Sequence, residues 1–68
     1  MKFAILIERA RRNWSAYVLD VPGCVATGRT AEEARARLGS ALRLHLEGMR
    51  EDGVKPPVPT TVTDYVEV

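Results

Sequence analysis

The stretch from Thr30 to Gly53 constrains the fold of this chain more than any other. Thr30-Ala31-Glu32-Glu33 has the spacing of a capping box, in which the threonine hydroxyl accepts from the amide of Glu33 and the glutamate carboxylate reaches back. Two acids in the first turn also suit the positive end of a helix dipole. At the other end Gly53 offers a left-handed stop, and Pro56, Pro57 and Pro59 forbid continuation. The pattern predicts one helix from Ala31 to about Asp52.

The flanking segments read as strands. Lys2 to Glu8 is rich in bulky apolar residues, and the polar Arg11-Arg12-Asn13 after it suits a hairpin connection in which Asn13 can take a left-handed conformation. Trp14 to Asp20 forms the second strand, broken by Pro22-Gly23. Cys24 to Thr27 makes a short third strand closed by Gly28, and Thr61 to Val68 alternates like a fourth. The order predicts an α+β fold: a two-layer βββαβ arrangement, with a mixed four-stranded sheet and one long helix on one face. A right-handed crossover would bring the fourth strand parallel to the first. A chain of 68 residues makes one domain, spanning residues 1–68.

At 100° per residue, Ala31, Ala34, Leu38, Ala41, Leu42, His45 and Met49 fall on one stripe of the helix. Glu32, Ala36, Ser40, Arg43, Glu47 and Arg50 fall opposite, with Glu33–Arg37 and Glu47–Arg50 at pairing distance along the surface. One helix covers only one face of a sheet. On the first strand Phe3, Ile5 and Ile7 point one way and Ala4 and Leu6 the other, so both sides are apolar. The second strand repeats this, with Trp14, Ala16 and Val18 against Tyr17 and Leu19. A solvated antiparallel face is normally polar. Leu6, Tyr17, Leu19 and Tyr65 are therefore expected to form an exposed partner-binding patch, met by a second copy of the chain or by another protein.

Chemistry-bearing constellations are few. His45 lies on the apolar stripe without a positioned partner, which suits a core or edge histidine rather than a catalytic one. Cys24 has no base near it in sequence and reads as a buried structural thiol. One Cys and one His make no zinc site. The carboxylates Glu8, Asp20, Glu47 and Asp64 would have to converge for two-metal phosphodiester cleavage, which their placement does not favour. Asp20 reads as a turn residue accepting local amides before Pro22-Gly23. Arg9, Arg11 and Arg12 cluster at the hairpin tip, where a solvated tip competes with contact to an acidic partner or RNA. No catalytic residue, cofactor or metal is expected. A net charge of +1 gives no general pull toward nucleic acid or membranes, and the apolar N-terminal run is too short for a signal or a membrane span, so a cytoplasmic protein is expected.

Asp20-Val21-Pro22-Gly23-Cys24, then Gly28, Thr30, Glu33-Ala34, Ala41-Leu42, and Glu51 with Gly53, Pro56, Pro57 and Pro59 form an ordered series that resembles the HicB antitoxin family. The match runs from about Trp14 to Thr60. Leu19 stands where members often carry proline, Arg29 where aspartate is frequent, and Arg37 where asparagine is common. The resemblance implies a degenerate ribonuclease-H-like fold and a role as the antitoxin of a pair. The partner it implies is a HicA-type RNA-cleaving toxin, neutralised by direct contact without catalysis. An orphan homo-oligomer with a binding or scaffolding role is the alternative. Many relatives add a C-terminal helix-turn-helix or ribbon-helix-helix. No residues follow Val68 for one here, so autonomous sequence-specific DNA binding is not expected.

Overall fold

The computed structural model describes all residues 1–68. Three strands, β1 (Ile5–Arg9), β2 (Trp14–Val18) and β3 (Val25–Gly28), precede one helix, α1 (Ala31–Glu51). The sheet is antiparallel throughout, in the order β1-β2-β3. The α+β class and the βββα order follow the sequence expectation. The mixed four-stranded sheet does not: Thr61–Val68 joins no ladder and is exposed along its whole length. Alternating polarity is compatible with an extended segment whether or not a neighbour bonds to it, and here none does.

Local chemistry accounts for each boundary. Ala10 donates to the Asn13 carbonyl at 2.8 Å, closing the connection from Arg9 to its ladder partner Trp14. No residue other than glycine has positive φ, so Asn13 does not take the left-handed conformation foreseen for it. Gly23 does, at φ 81°, turning the chain between β2 and β3. In the same turn Cys24 donates to Val21, while Val18 donates to Cys24 at 3.1 Å.

Helix α1 starts on Thr30, whose extended backbone (φ −132°, ψ 163°) and hydroxyl cap the amide of Glu33 at 3.0 Å. The Glu33 carboxylate reaches back one residue further than in the usual box, accepting from the Arg29 amide at 2.8 Å. That bond, reinforced by the Arg37 and Arg29 guanidiniums at 3.5 and 3.8 Å, holds the Glu33 carboxyl below its ordinary value. The pair foreseen between Glu47 and Arg50 does not form; Glu33–Arg37 does. At the C-terminus Gly53 (φ 71°) donates to Arg50, and Val54 donates to Met49 at 2.8 Å, the bonding pattern of a Schellman stop.

The core lies between sheet and helix: Ala16 and Val18 from β2, Val21 and Cys24 from the turn, Ala34 and Leu38 from α1. Ile5, Ile7, Trp14 and Ala26 support it from the sheet, and Ala41 and Leu42 from the helix. The helix packs most closely on β3 and least on β1. Cys24 is a buried thiol, as expected, and burial pushes its pKa up. His45 lies on the apolar stripe but is exposed, as is Leu44 at 71%. Twenty-one helical residues span about 32 Å. Strands of five residues are about 17 Å long, so the helix outruns the sheet and the apolar stripe is covered only over its first part.

Candidate protein-binding surface

Register decides which residues the helix leaves uncovered. Ile5 pairs with Val18, and Ile7 pairs with Ala16, which pairs with Ala26; these rows face α1. The intervening row is Leu6–Tyr17–Val25, with Leu19 beside it through its amide bond to the Ala4 carbonyl at 3.1 Å. Leu6 and Leu19 are each 38% exposed and Val25 is 60% exposed. The structure thus pairs Leu6, Tyr17 and Val25 in one row, with Leu19 just past the end of β2. The sequence reading did not assign the third strand's faces, and alternation against Ala26 was the signal that could have found Val25.

Glu8 and Tyr17 rim this stripe, the Tyr17 hydroxyl donating to the Glu8 carboxylate. That bond fixes a polar end on an otherwise apolar ring, a combination common at protein interfaces. The arrangement offers a rigid, strand-borne apolar row with a polar border.

Tyr65 stands apart. It is 98% exposed and belongs to the C-terminal segment, not to the sheet. A cleft of about 580 Å³ separates that segment from β1, walled by Ile5, Leu6 and Ile7 on one side and Val62, Asp64 and Tyr65 on the other. Leu6 and Tyr65 therefore share a cleft rather than a continuous surface.

Asp20 departs furthest from its expected role as a turn residue. Its carboxylate accepts nothing from its own turn. Instead it takes the Thr60 and Thr61 amides at 2.9 and 2.8 Å, and the Thr61 hydroxyl at 2.6 Å. Nothing local in the sequence signals a partner 40 residues away. The Thr61 hydroxyl first, then the two amides, hold the Asp20 carboxyl below its ordinary value of 3.8. A depressed carboxylate contributes stability above its unfolded-state pKa and loses it as pH falls through the folded one. The tether should therefore persist at neutral pH and release on acidification below about pH 4. Hydrogen exchange at the Thr60 and Thr61 amides checks this. Protection should be lost in acid, and at neutral pH in Asp20→Ala; unchanged protection in the variant would show that the carboxylate does not hold the segment.

Glu8, Asp20, Glu47 and Asp64 are not brought together, and no three His, Cys, Asp or Glu side chains gather as metal ligands would. No helix is long and apolar enough to cross a membrane.

Known proteins agree with the family suggested by the sequence. Residues 3–68 match the family model described as the HicB-like antitoxin of bacterial toxin–antitoxin systems. A relative from Haemophilus phage HP1 (strain HP1c1), described as an uncharacterised 14.9 kDa protein in the rep-hol intergenic region, is 35% identical over 66 residues. That alignment covers 97% of this chain but 50% of the phage protein, so the chain spans about half the length of the curated relative it matches. No solved structure matches significantly. With a family match over nearly its whole length and a relative above 30% identity, the chain belongs to the HicB-like antitoxin family of bacterial toxin–antitoxin systems.

Proposed function

We propose that this chain is the protein-binding module of a toxin–antitoxin pair, and that it neutralises a HicA-type RNA-cleaving toxin by covering it with the outer sheet face. The observation that carries the reading is the row Leu6–Tyr17–Val25 with Leu19, apolar and uncovered on the face opposite the helix. Leaving such a row in water has no advantage for a lone domain, whereas burying it against a partner is favourable by roughly 25 cal/mol per Å² of apolar surface. Occlusion needs shape and apolar contact, not chemistry.

A homo-oligomer without a living toxin partner is the second reading. The unpaired outer edge of β1 and the exposed Val62, Tyr65, Val66 and Val68 favour it, since free edges and β-prone segments invite pairing between copies.

The double substitution Leu6→Glu with Leu19→Glu separates the two. Both side chains are partly exposed, so the fold should survive. Co-expression of the unaltered chain with a HicA-type toxin from its own source should restore growth, and the double variant should fail to do so. Light scattering on both proteins reads self-association independently. A folded variant that rescues as well as the unaltered chain would remove this face from toxin binding. A drop in mass without loss of rescue would instead assign the face to the oligomer.

A further inference from the structure

The tip of the β1–β2 hairpin carries a feature that the toxin-binding reading leaves unused. Arg9, Arg11, Arg12 and Arg29, together with Asn13 and Trp14, line a small basin of about 120 Å³. Arg29 comes from the β3–α1 connection, so two separate parts of the chain close the basin. Among these arginines only Arg29 has a carboxylate within 4 Å, that of Glu33 at 3.8 Å. Arg9, Arg11 and Arg12 are unneutralised. Arg9 sits over the Trp14 ring, 5.9 Å from its centroid, which positions its guanidinium at the basin wall. The amides of Arg11, Arg12 and Asn13 have no acceptor within the chain, which leaves further donors in the same loop.

We propose that this basin binds a phosphate dianion, the terminal group that a phosphate monoester and inorganic phosphate both present. Its volume is about four times the share of one water molecule in the liquid, room for one compact oxyanion. A carboxylate presents two coplanar oxygens, which one guanidinium fork satisfies. Several arginines lining one basin suit an acceptor with three terminal oxygens and nearly two negative charges, as a monoester has and an internal diester has not. The group can come from inorganic phosphate or from the phosphorylated end of an RNA, which share this chemistry.

Titration of the full chain followed by amide, indole and guanidinium NMR shifts tests the proposal. Inorganic phosphate, a 5′-phosphorylated oligoribonucleotide, the same oligonucleotide without its terminal phosphate, and an aspartate-rich peptide are the probes. Saturable shifts at Trp14 and Arg11–Asn13 are expected with the two phosphate-bearing probes. Tighter binding by the oligonucleotide than by free phosphate would name RNA ends as the source, and equal binding would name the small anion. Arg11→Gln with Arg12→Gln, and separately Arg29→Gln, should each weaken binding about tenfold, the loss expected for charge-assisted bonds to the anion. These positions lie outside the apolar face, so toxin rescue should not change. Equal binding of the unphosphorylated oligonucleotide, stronger binding of the acidic peptide, or no saturable shift with any probe would overturn the proposal.

Discussion

Replacing Leu38 by alanine is expected to leave much of the chain unfolded at physiological temperature. Leu38 is 1% exposed and is the largest fully buried side chain with Val21, contributed by the helix to a core that otherwise holds small residues and valines. Leucine-to-alanine changes at such sites cost about 2–5 kcal/mol, through lost transfer energy and the cavity left behind. At roughly 0.05–0.15 kcal/mol per residue, a chain of 68 residues has only about 3–10 kcal/mol in total. The substitution removes a large share of that. Urea unfolding should show a lower midpoint at unchanged slope. Leu44, 71% exposed on the same helix, is the internal control, and its change to alanine should stay within about 0.5 kcal/mol. A Leu38→Ala loss as small as the control's would mean that the helix is not held to the sheet through this residue.

Gly28→Ala is expected to be the second most damaging change, for a reason unrelated to backbone angle. Gly28 ends β3, opposite Trp14, and the chain turns from it into the helix. A Cβ there would lie 2.5 Å from the Ala34 nitrogen, 2.9 Å from the Glu33 carbonyl carbon and 3.0 Å from the Ala34 Cα. All three are backbone atoms of the helix, so no rotamer change relieves the clash. Strand and helix must separate, which strains the Thr30 cap and the bond from Arg29 to Glu33. Overpacking of this kind costs about 1–3 kcal/mol, and more where the obstacle is rigid. Gly48 makes the opposite case: a Cβ there meets nothing within 4 Å, and Gly48→Ala inside the helix should stabilise by about 1 kcal/mol. Thermal melts of the two alanine variants should move in opposite directions. A Gly28→Ala melt unchanged or raised would refute the close approach.

Features with local causes were the legible ones. The capping box, the glycine stop and the prolines set both helix ends almost to the residue, because each acts within a turn of the backbone it terminates. Period-two alternation gave Leu6 and Tyr17 as an outward pair, since the sheet's pleat alone decides it. What failed depended on distant parts of the chain. His45 fits the helical stripe, yet it is exposed while Leu46 and Met49 beyond it are half-buried, and periodicity does not report which positions the rest of the chain covers. Thr61–Val68 has a strand's composition, yet a strand exists only where a partner supplies hydrogen bonds. Asp20 has the sequence setting of a turn residue, while its acceptors are filled from the far end of the chain.

The Asp20 tether also bears on the order in which the molecule assembles. The two hairpins and the docking of the helix on β3 join segments that follow one another along the chain, and each closes a short loop. The Asp20 carboxylate and the Thr60 and Thr61 amides instead close a loop of 40 and 41 residues, which holds all of β3 and α1. The entropy cost of closure grows with the length of free chain, and a formed helix shortens that length. The tether is therefore expected to form after the helix has docked, outside the folding nucleus. Contacts made after the transition state change the rate of unfolding and leave the rate of folding nearly alone. Acidity, by releasing Asp20, acts on how long the folded chain keeps its C-terminal segment in place, and not on how fast the sheet and helix find each other.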